Sequence, residues 1–284
     1  MLPSPTDLNF LLEVANTKNL TRASERLGVT QPALSQSIKR LEKTYGLPVL
    51  VRSKSGVKLT RAGEKLVRHA RVMLNDWNRI KEDALKDETI LRGRYSIGCH
   101  VSVAMYSLHL FLPELVKQYP ELEIKLQHDL SRKITEEVIS FKLDFGIVVN
   151  PVPHPDLVVK ELFKDEVRFW RSKKLLKNNN VLICDPELVQ SQTILNAFNK
   201  SGGSFQRIIT TSSLEVVCQL VEEGAGIGII PSRVVKQNDK AKLLKPVSNS
   251  PKFLDRICLV YRVDNQRSQA AKTVTRAIAQ ALRE

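Results

Sequence analysis

The chain has 284 residues and a mass of 32.1 kDa, a length typical of two domains. Hydrophobic residues make up 42% and charged residues 26%, close to average globular usage, which excludes a largely disordered or fibrous chain. Lys and Arg number 44 against 30 Asp and Glu, so the net charge of +14 favours a polyanionic partner. No apolar run approaches the roughly 20 residues of a membrane-spanning helix. Met1 to Val14 lack a basic n-region, so we expect no secretory signal.

Positive charge is concentrated near the amino terminus. Residues 1–61 hold ten Lys and Arg against four Asp and Glu, which leaves +6. The rest of the chain holds 34 against 26, which leaves +8 over a much longer segment. The excess charge per residue is therefore nearly three times higher in the first segment, where we look first for nucleic-acid binding.

The sequence offers no catalytic or metal-binding constellation. The four cysteines, at positions 99, 184, 218 and 258, form no C-x-x-C pair, which favours buried thiols in a reducing compartment. A redox sensor is the alternative, and it requires two of these thiols to meet in space. The five histidines lack metal spacing, and the chain lacks G-x-S-x-G, P-loop and H-E-x-x-H motifs. We therefore expect no enzyme activity, no cofactor and no metal.

The first 60 residues predict three helices followed by a hairpin. Thr21 is the expected N-cap of the second helix and Gly28 its C-terminal residue, while Gly46 ends the third helix. Pro32 suits the first turn of the third helix, where a missing N–H costs little. The predicted helices are Asp7–Thr17, Asn19–Leu27 and Thr30–Tyr45, and the predicted strands are Val49–Val51 and Val57–Leu59 around a basic tip.

A long helix is predicted from Thr60 to Glu88. Its apolar residues alternate at spacings of three and four: Ala62, Leu66, Ala70, Met73, Trp77, Ile80 and Ala84. This is a heptad seam, and one narrow seam needs a partner helix to cover it. We expect a second copy of the chain, with Leu66, Ala70, Met73, Trp77 and Ile80 at the interface. The alternative is that the helix packs on its own domain.

From Leu91 onward, short apolar runs alternate with helical stretches, which predicts α/β units with mostly parallel sheets. Pro151, Pro153 and Pro155 mark a crossing from one lobe to another. The predicted strands are Tyr95–Cys99, Leu122–Gln127, Phe145–Val149, Val158–Phe163, Glu166–Trp170, Val181–Cys184, Arg207–Thr210, Gly226–Ile230 and Leu254–Tyr261. The predicted helices are Val103–Tyr119, Lys133–Phe141, Ser191–Lys200, Ser213–Glu223 and Arg267–Arg283.

The amino-terminal segment resembles the LysR-type family of bacterial transcriptional regulators. The matching blocks are Ala23-Ser24-Glu25-Arg26-Leu27, Val29-Thr30-Gln31-Pro32-Ala33-Leu34-Ser35, Ile38-Lys39-Arg40-Leu41-Glu42 and Leu59-Thr60-Arg61-Ala62-Gly63. Leu50, where the family often has Phe, and Ser55, where many members carry a basic residue, depart from the pattern. The resemblance implies a winged helix-turn-helix (1–60), a linker and dimerisation helix (61–90) and a two-lobed, type 2 periplasmic-binding-protein-like effector domain (91–284). Lobe I is expected at about 91–162 plus 263–284, and lobe II at about 163–262.

In such a domain the third helix reads base edges, and cations on either side contact phosphates. Gln pairs with adenine, and Ser or Thr bonds several bases, whereas Pro32 and Ala33 suit a thymine methyl. An N-cap role is the alternative for Thr30. The expected DNA-binding residues are Thr30, Gln31, Pro32, Ser35, Gln36, Lys39, Arg40, Arg52, Lys54, Lys58 and Arg22, with Lys43 as a further phosphate contact.

A small effector is expected between the two lobes, at strand ends and helix N-termini. The expected effector-binding residues are His100, Val101, Ser102, Ser131, Asn150, Ser212 and Ser213. Helix capping is the alternative for the serines, and a structural role is the alternative for His100. The helix-end serines and the basic balance favour a small organic anion.

The sequence thus predicts a ligand-responsive, cytoplasmic, bacterial transcription factor. Its expected partners are double-stranded promoter DNA, RNA polymerase, a small-molecule effector and itself, as a homodimer or dimer of dimers. A cytoplasmic solute-binding receptor or an enzyme on the same two-lobed fold is the alternative. Residues 1–61 argue against the receptor, and the missing catalytic set argues against the enzyme.

Overall fold

The computed structural model describes residues 3–53, 56–84, 93–176, 180–237, 241–267 and 269–282. The chain divides into two compact units, an amino-terminal unit of residues 1–89 with 140–142 and a carboxy-terminal unit of residues 90–139 with 143–284. Among the described helices, none combines the length and apolar character needed to cross a bilayer.

The amino-terminal unit has the predicted order of three helices, a hairpin and a long helix. Its elements are α1 (Pro5–Thr17), α2 (Leu20–Leu27), α3 (Gln31–Tyr45), β1 (Leu50–Ser53), β2 (Gly56–Leu59) and α4 (Arg61–Ala84). The predicted end of the long helix, 85–88, lies outside the described residues. The prediction of Thr21 as N-cap of α2 is wrong, because Asn19 Oδ1 accepts the hydrogen bond from the Arg22 N–H at 3.1 Å.

The tight turn between α2 and α3 depends on Gly28 and Thr30. Gly28 ends α2 with a φ of 67°, in the left-handed region that favours glycine. Thr30 Oγ1 then accepts from the Ala33 N–H and caps α3. Buried residues of all three helices form one core, which includes Leu11, Leu34 and Ile38.

Two carboxylates hold α3 in place. Asp7, near the start of α1, accepts hydrogen bonds from the Ser37 hydroxyl and from Arg40 Nη2, the latter at 2.8 Å. Glu42 Oε1 accepts from the backbone N–H of Val49 at 2.8 Å and of Leu50 at 3.3 Å. The middle of α3 is therefore fixed to α1, and its C-terminal part is fixed to the start of the hairpin.

Helix α4 passes very close to the backbone just before the hairpin, and the contact is at Gly63 of α4. A Cβ on Gly63 would lie 2.1 Å from the carbonyl oxygen of Val49, so only glycine permits this close approach of α4 to the residue that precedes β1. Thr60 Oγ1 caps the start of α4 by accepting from the Gly63 N–H at 2.9 Å. Leu50, which departs from the family pattern, still packs against the core.

The carboxy-terminal unit alternates strands and helices as predicted. Its strands are β3 (Gly93–Cys99), β4 (Leu122–His128), β5 (Phe145–Val149), β6 (Leu157–Ser172), β7 (Val181–Cys184), β8 (Arg207–Thr210), β9 (Ile227–Pro231), β10 (Leu244–Pro246) and β11 (Lys252–Arg262). Its helices are α5 (Val101–Gln118), α6 (Ser131–Ile139), α7 (Val189–Lys200), α8 (Leu214–Glu222), α9 (Ser232–Lys236) and α10 (Gln269–Leu282). The sequence did not predict α9 and β10.

The strands form one sheet in the order β4-β3-β5-β11-β6-β9-β7-β8, with β10 on β6. Strands β3, β4 and β5 are parallel in lobe I, and β7, β8 and β9 are parallel in lobe II. The pairings that involve β6 and β11 are antiparallel, so the expectation of mostly parallel pairing holds only within each lobe. These two long strands cross from one lobe to the other.

The prediction of two separate strands at Val158–Phe163 and Glu166–Trp170 is wrong. The chain continues through Lys164 and Asp165 as the single strand β6. Asp165 pairs with Asp255 of β11 in the register of the sheet, and both side chains are buried. Lys164 and Asp165, whose polarity predicts a break between two strands, are instead part of the strand that crosses between the lobes.

We predict that Asp7→Asn lowers the free energy of unfolding at pH 7 by about 1–3 kcal/mol, because it removes charged hydrogen bonds to α3. Burial raises the pKa of Asp7, but the hydrogen bonds from Ser37 and Ser4 and the charge of Arg40 outweigh it and hold the pKa below its ordinary value. The stabilisation is therefore present above the unfolded pKa and is lost as the pH falls through the folded value. Urea unfolding of wild type and variant at several pH values measures this difference.

Glu25→Gln, on the exposed surface of α2, serves as the control and should leave stability nearly unchanged. A difference between wild type and Asp7→Asn that stays constant from neutral to acidic pH would contradict the role of the carboxylate charge.

Candidate nucleic-acid interface and ligand cleft

One face of α3 is free of the core. Leu34, Ser37, Ile38 and Leu41 are buried and face α1 and α2. The residues predicted to contact base edges lie on the other side of the helix. Of these, Pro32 and Gln36 are exposed, and Gln31 and Ser35 are half-buried. The first two turns of α3 therefore present short polar and apolar side chains of the kind that read base edges.

The predicted phosphate contacts have different surroundings. Arg22, Lys39, Lys43 and Lys58 are exposed. Arg40 forms an ion pair with Asp7, so its guanidinium stabilises the position of α3 within the unit. Thr30 uses its hydroxyl as an N-cap, the alternative anticipated for it. Lys54 and the side chain of Arg52 lie outside the described residues.

The seam of α4 divides into two parts. Ala70 is fully buried in the core of its own unit, and Leu66 packs against the same core, so for these two the alternative of packing on the own domain applies. Met73 and Trp77 are 49% and 50% exposed. The side chain of Ile80 lies outside the described residues. Among the seam side chains that the structure describes, Met73 and Trp77 are therefore the exposed apolar ones that could meet a partner.

In the carboxy-terminal unit, the candidate site lies where strands end and helices begin. Strand β3 is followed by His100 and α5, and β4 by α6. In lobe II, β7 is followed by Asp185, and β8 by Ser213 and α8. Because parallel strands end at the same edge of a sheet, each lobe collects these residues at one edge, where open α/β sheets bind ligands.

Most of the predicted effector residues make structural hydrogen bonds. His100 Nδ1 accepts from the Ser102 N–H and caps α5. Ser131 Oγ accepts from the Val149 N–H at 3.0 Å, and Ser213 Oγ accepts from the Val216 N–H and donates to Glu215. Val101 and Ser212 are exposed. Capping, the alternative for the serines, therefore describes Ser213, whereas Ser131 holds the start of α6 to β5.

Asn150 holds the end of β5 to β11. It adopts a left-handed φ of 50°, donates from Nδ2 to Asp255 Oδ1 at 2.7 Å and accepts at Oδ1 from the Arg256 N–H at 2.9 Å. Its side chain is thus occupied at the crossover, which makes Asn150 a positioning residue in this structure.

Unpartnered polar atoms mark the cleft edges. Among the described residues, Ser102 Oγ, Ser191 Oγ and Glu215 Oε1 are buried without a hydrogen-bond partner. They lie in the first turns of α5, α7 and α8, which follow β3, β7 and β8. Buried polar groups normally have partners, so these three atoms indicate where a ligand would supply them.

Carboxylates of lobe II act on His100 of lobe I. Burial lowers the pKa of His100, whereas the carboxylates of Glu215 and Asp185 in lobe II raise it, and the net shift is downward. His100 is therefore neutral at pH 7, and it faces carboxylates across the cleft. Asp185 is itself buried and accepts from the Glu187 N–H at 2.9 Å.

Two further carboxylates lie at the crossover. Burial raises the pKa of Asp255 to about 7 and raises the pKa of Asp165, while Asn150 donates to Asp255 and the Arg233 N–H donates to Asp165. The guanidinium of Arg233 lies 4.0 Å from the centre of the Phe163 ring. The crossover is therefore a buried polar zone between the lobes.

The four cysteines are free and buried. Burial raises the pKa of Cys99 to about 12 and raises those of Cys184 and Cys258. Since the thiolate is the reactive form, these thiols are poor nucleophiles. The described residues contain no group of three or more His, Cys, Asp and Glu side chains placed to hold a metal ion.

Sequence reasoning missed Asp185, Glu215 and Ser191. The signal was present for Asp185, because it directly follows the buried run Val181–Cys184 and parallel strands carry site residues at their carboxyl ends. Glu215 and Ser191 could not be predicted from the sequence. Both are ordinary residues for the first turn of a helix, and only the structure shows that each has a buried oxygen without a hydrogen-bond partner.

Two family sequence models match the chain. The model described as "Bacterial regulatory helix-turn-helix protein, lysR family" matches residues 5–64, and the model "LysR substrate binding domain" matches residues 89–283. The second match alone covers more than half of the chain.

Individual relatives agree with these matches. The HTH-type transcriptional regulator BbuR of Bordetella bronchiseptica is 33% identical over 161 residues, which are 56% of this chain and only 50% of that protein. A "Hydrogen peroxide-inducible genes activator" of Haemophilus influenzae is 27% identical over 90% of this chain and 89% of that protein. Among solved structures, a full-length OxyR variant from Pseudomonas aeruginosa has a TM-score of 0.72 at 20% identity, covering 99% of this chain and 95% of that one. This likeness concerns the fold.

Proposed function

Because this chain belongs to the LysR family and is a LysR-type DNA-binding transcription regulator with an effector-binding domain, we propose roles for its individual residues. The observation that carries these roles in DNA binding is the face of α3 that the core leaves free. Pro32, Ser35 and Gln36 on this face, together with Gln31, contact base edges in the major groove, while Lys39 and Lys43 contact the flanking phosphates. Promoter DNA and RNA polymerase are the expected partners.

We predict that Gln31→Ala relaxes the preference for the cognate sequence, with a loss of about 1–3 kcal/mol at one base position. Lys39→Gln is the comparison. The loss of a phosphate contact should weaken binding to all DNA sequences alike, and it should reduce by about one the slope of the logarithm of the binding constant against the logarithm of the salt concentration. Selection from a randomised DNA library, followed by titrations at several salt concentrations, separates the two effects. An unchanged base preference in Gln31→Ala would remove this residue from the reading set.

We propose that two copies pair through the second part of the α4 seam. The support is the exposure of Met73 and Trp77, one helical turn apart on a helix whose Leu66, Val67, Ala70 and Leu74 pack on the core of their own unit. Pairing places two reading helices on one duplex, and the second one binds with an effective concentration set by the dimer. A dimer of dimers would extend the same logic.

We predict that Met73→Glu converts the dimer to a monomer, because it places a charge in an apolar contact, whereas the matched Met73→Leu remains dimeric. Sedimentation equilibrium gives the mass, and circular dichroism confirms that helix content is retained. If both variants keep the wild-type mass, the pairing surface lies elsewhere.

We propose that the effector lies between the lobes and carries a cationic group. Ser131 and Ser213, which favour an anion in the sequence, already bond within the protein. Glu215 Oε1 lacks a partner, Asp185 is buried in the same lobe, and His100, on which both carboxylates act, is neutral. A buried carboxylate without a cation is costly, so an ammonium or guanidinium group is the complement. Ser102 and Ser191 supply further hydrogen bonds.

We predict that a cationic probe, agmatine, raises the unfolding temperature of the wild-type protein in a concentration-dependent way, and that Glu215→Gln removes this stabilisation. Glu114→Gln, an exposed carboxylate on α5, is the control and should respond like the wild type. Thermal unfolding with agmatine and, separately, with succinate tests the charge preference. Stabilisation by succinate alone would reverse the proposed class of effector.

The remaining assignments are proposals of the same kind. We propose the boundaries 1–60, 61–90 and 91–284, with β11 contributing to both lobes because residues 257–261 pair with β5. Family membership supports a non-catalytic protein that works in the bacterial cytoplasm. We do not extend peroxide sensing from the named relatives, because the thiols here are buried and three of them have raised pKa values.

A further inference from the structure

A cavity of about 560 Å³ lies between helix α10 and the crossover strands β6 and β11. Three cations line it, together with an aromatic ring and two polar side chains: Lys160, Lys272, Arg276, Tyr261, Thr275 and Gln280. It shares none of these residues with the ligand cleft described above. Its volume is in the range of small-molecule sites.

The fold brings the three cations to one place. Lys272 and Arg276 are one turn apart on α10, whose buried residues, including Ala271 and Val274, pack on the core of lobe I. Lys160 lies on β6 opposite Leu259 of β11, two residues from Tyr261. Its Nζ lies 5.6 Å from the centre of the Tyr261 ring. Residues of three separate elements therefore converge on the cavity.

The described lining of the cavity contributes no negative charge to balance these cations. No carboxylate is among the described residues that line it. Within the described part of the chain, Lys160, Lys272 and Arg276 form no ion pair. Like charges one helical turn apart destabilise a helix, and a concave surface focuses their potential. An anion in the cavity would relieve this repulsion.

We propose that this cavity is a second ligand site, for a small polyanion that carries two or more carboxylate or phosphate groups. Arg276 binds one anionic group through its planar guanidinium, and Lys160 and Lys272 bind the others as point charges. The proposal goes beyond the function assigned above, because it depends neither on DNA nor on the cleft between the lobes.

The test is isothermal titration calorimetry of the full chain, at fixed ionic strength, with citrate and with pyrophosphate as separate probes. The basic surface of α3 also attracts polyanions, so the matched control is Lys39→Gln/Lys43→Gln, which removes the same charge there. The cavity variant is Lys160→Gln/Arg276→Gln. All four residues are exposed, so both variants should keep the wild-type unfolding temperature.

We expect about a tenfold or larger loss of affinity in the cavity variant for at least one probe, and less than about a twofold change in the control. Citrate against pyrophosphate distinguishes a carboxylate ligand from a phosphate ligand. The proposal is overturned if the control loses binding while the cavity variant keeps it, or if neither probe binds the wild type at millimolar concentration. Should Lys160→Gln/Arg276→Gln unfold, Lys272→Gln alone replaces it with the same expected direction.

Discussion

The antiparallel pairing of β6 with β11 is the interaction on which the carboxy-terminal unit depends. Each strand is hydrogen-bonded to the other from Leu157–Arg262 at one end to Arg168–Lys252 at the other, and together they join the parallel strands of lobe I to those of lobe II. Both candidate ligand regions use this pair. Asp165 and Asp255 face each other three residues from its Arg168–Lys252 end, and Lys160 and Tyr261 lie on its lobe I half. A ligand that changes the geometry of the pair therefore acts on both lobes.

A different constraint acts in the amino-terminal unit. Helix α3 must stabilise the unit with one face and contact DNA with the other. Leu34, Ile38 and Leu41 fill the core, and Asp7 and Glu42 fix the middle and the C-terminal part of α3 through charged hydrogen bonds. Arg40 is one of the residues that hold α3 in place, because it pairs with Asp7, although an arginine at this position is also of the type that contacts phosphates. What remains for DNA is a narrow face that begins at Gln31. A helix fixed in this way loses little conformational freedom when it binds DNA, which favours affinity.

Sequence patterns predicted most of the fold, because the chain uses strong local signals. Gly28 and Gly46 end helices, Thr30 caps α3, and the buried runs Phe145–Val149 and Val181–Cys184 are strands with the predicted bounds. The errors arise where a tertiary contact outweighs a local signal. The polar pair Lys164-Asp165 resembles a loop, yet β11 covers it; Ala70 fits a heptad seam, yet its own core buries it. Whether a helix-start serine caps or awaits a ligand depends on its partners, which no sequence pattern shows.

In the cleft, too, the hydrogen-bond partners of a residue matter more than its type. Ser131 and Ser213 have the residue type of an anion site, but their oxygens already accept backbone hydrogen bonds. Ser102, Ser191 and Glu215 have ordinary residue types, but each keeps a buried atom without a partner. An effector stabilises one arrangement of the lobes only by contacts that the other arrangement lacks. Atoms left unpaired in the free protein are where such contacts cost least to form, because no existing hydrogen bond is lost. The carboxylate of Glu215 therefore weighs more in choosing the effector than the more numerous hydroxyl groups around it.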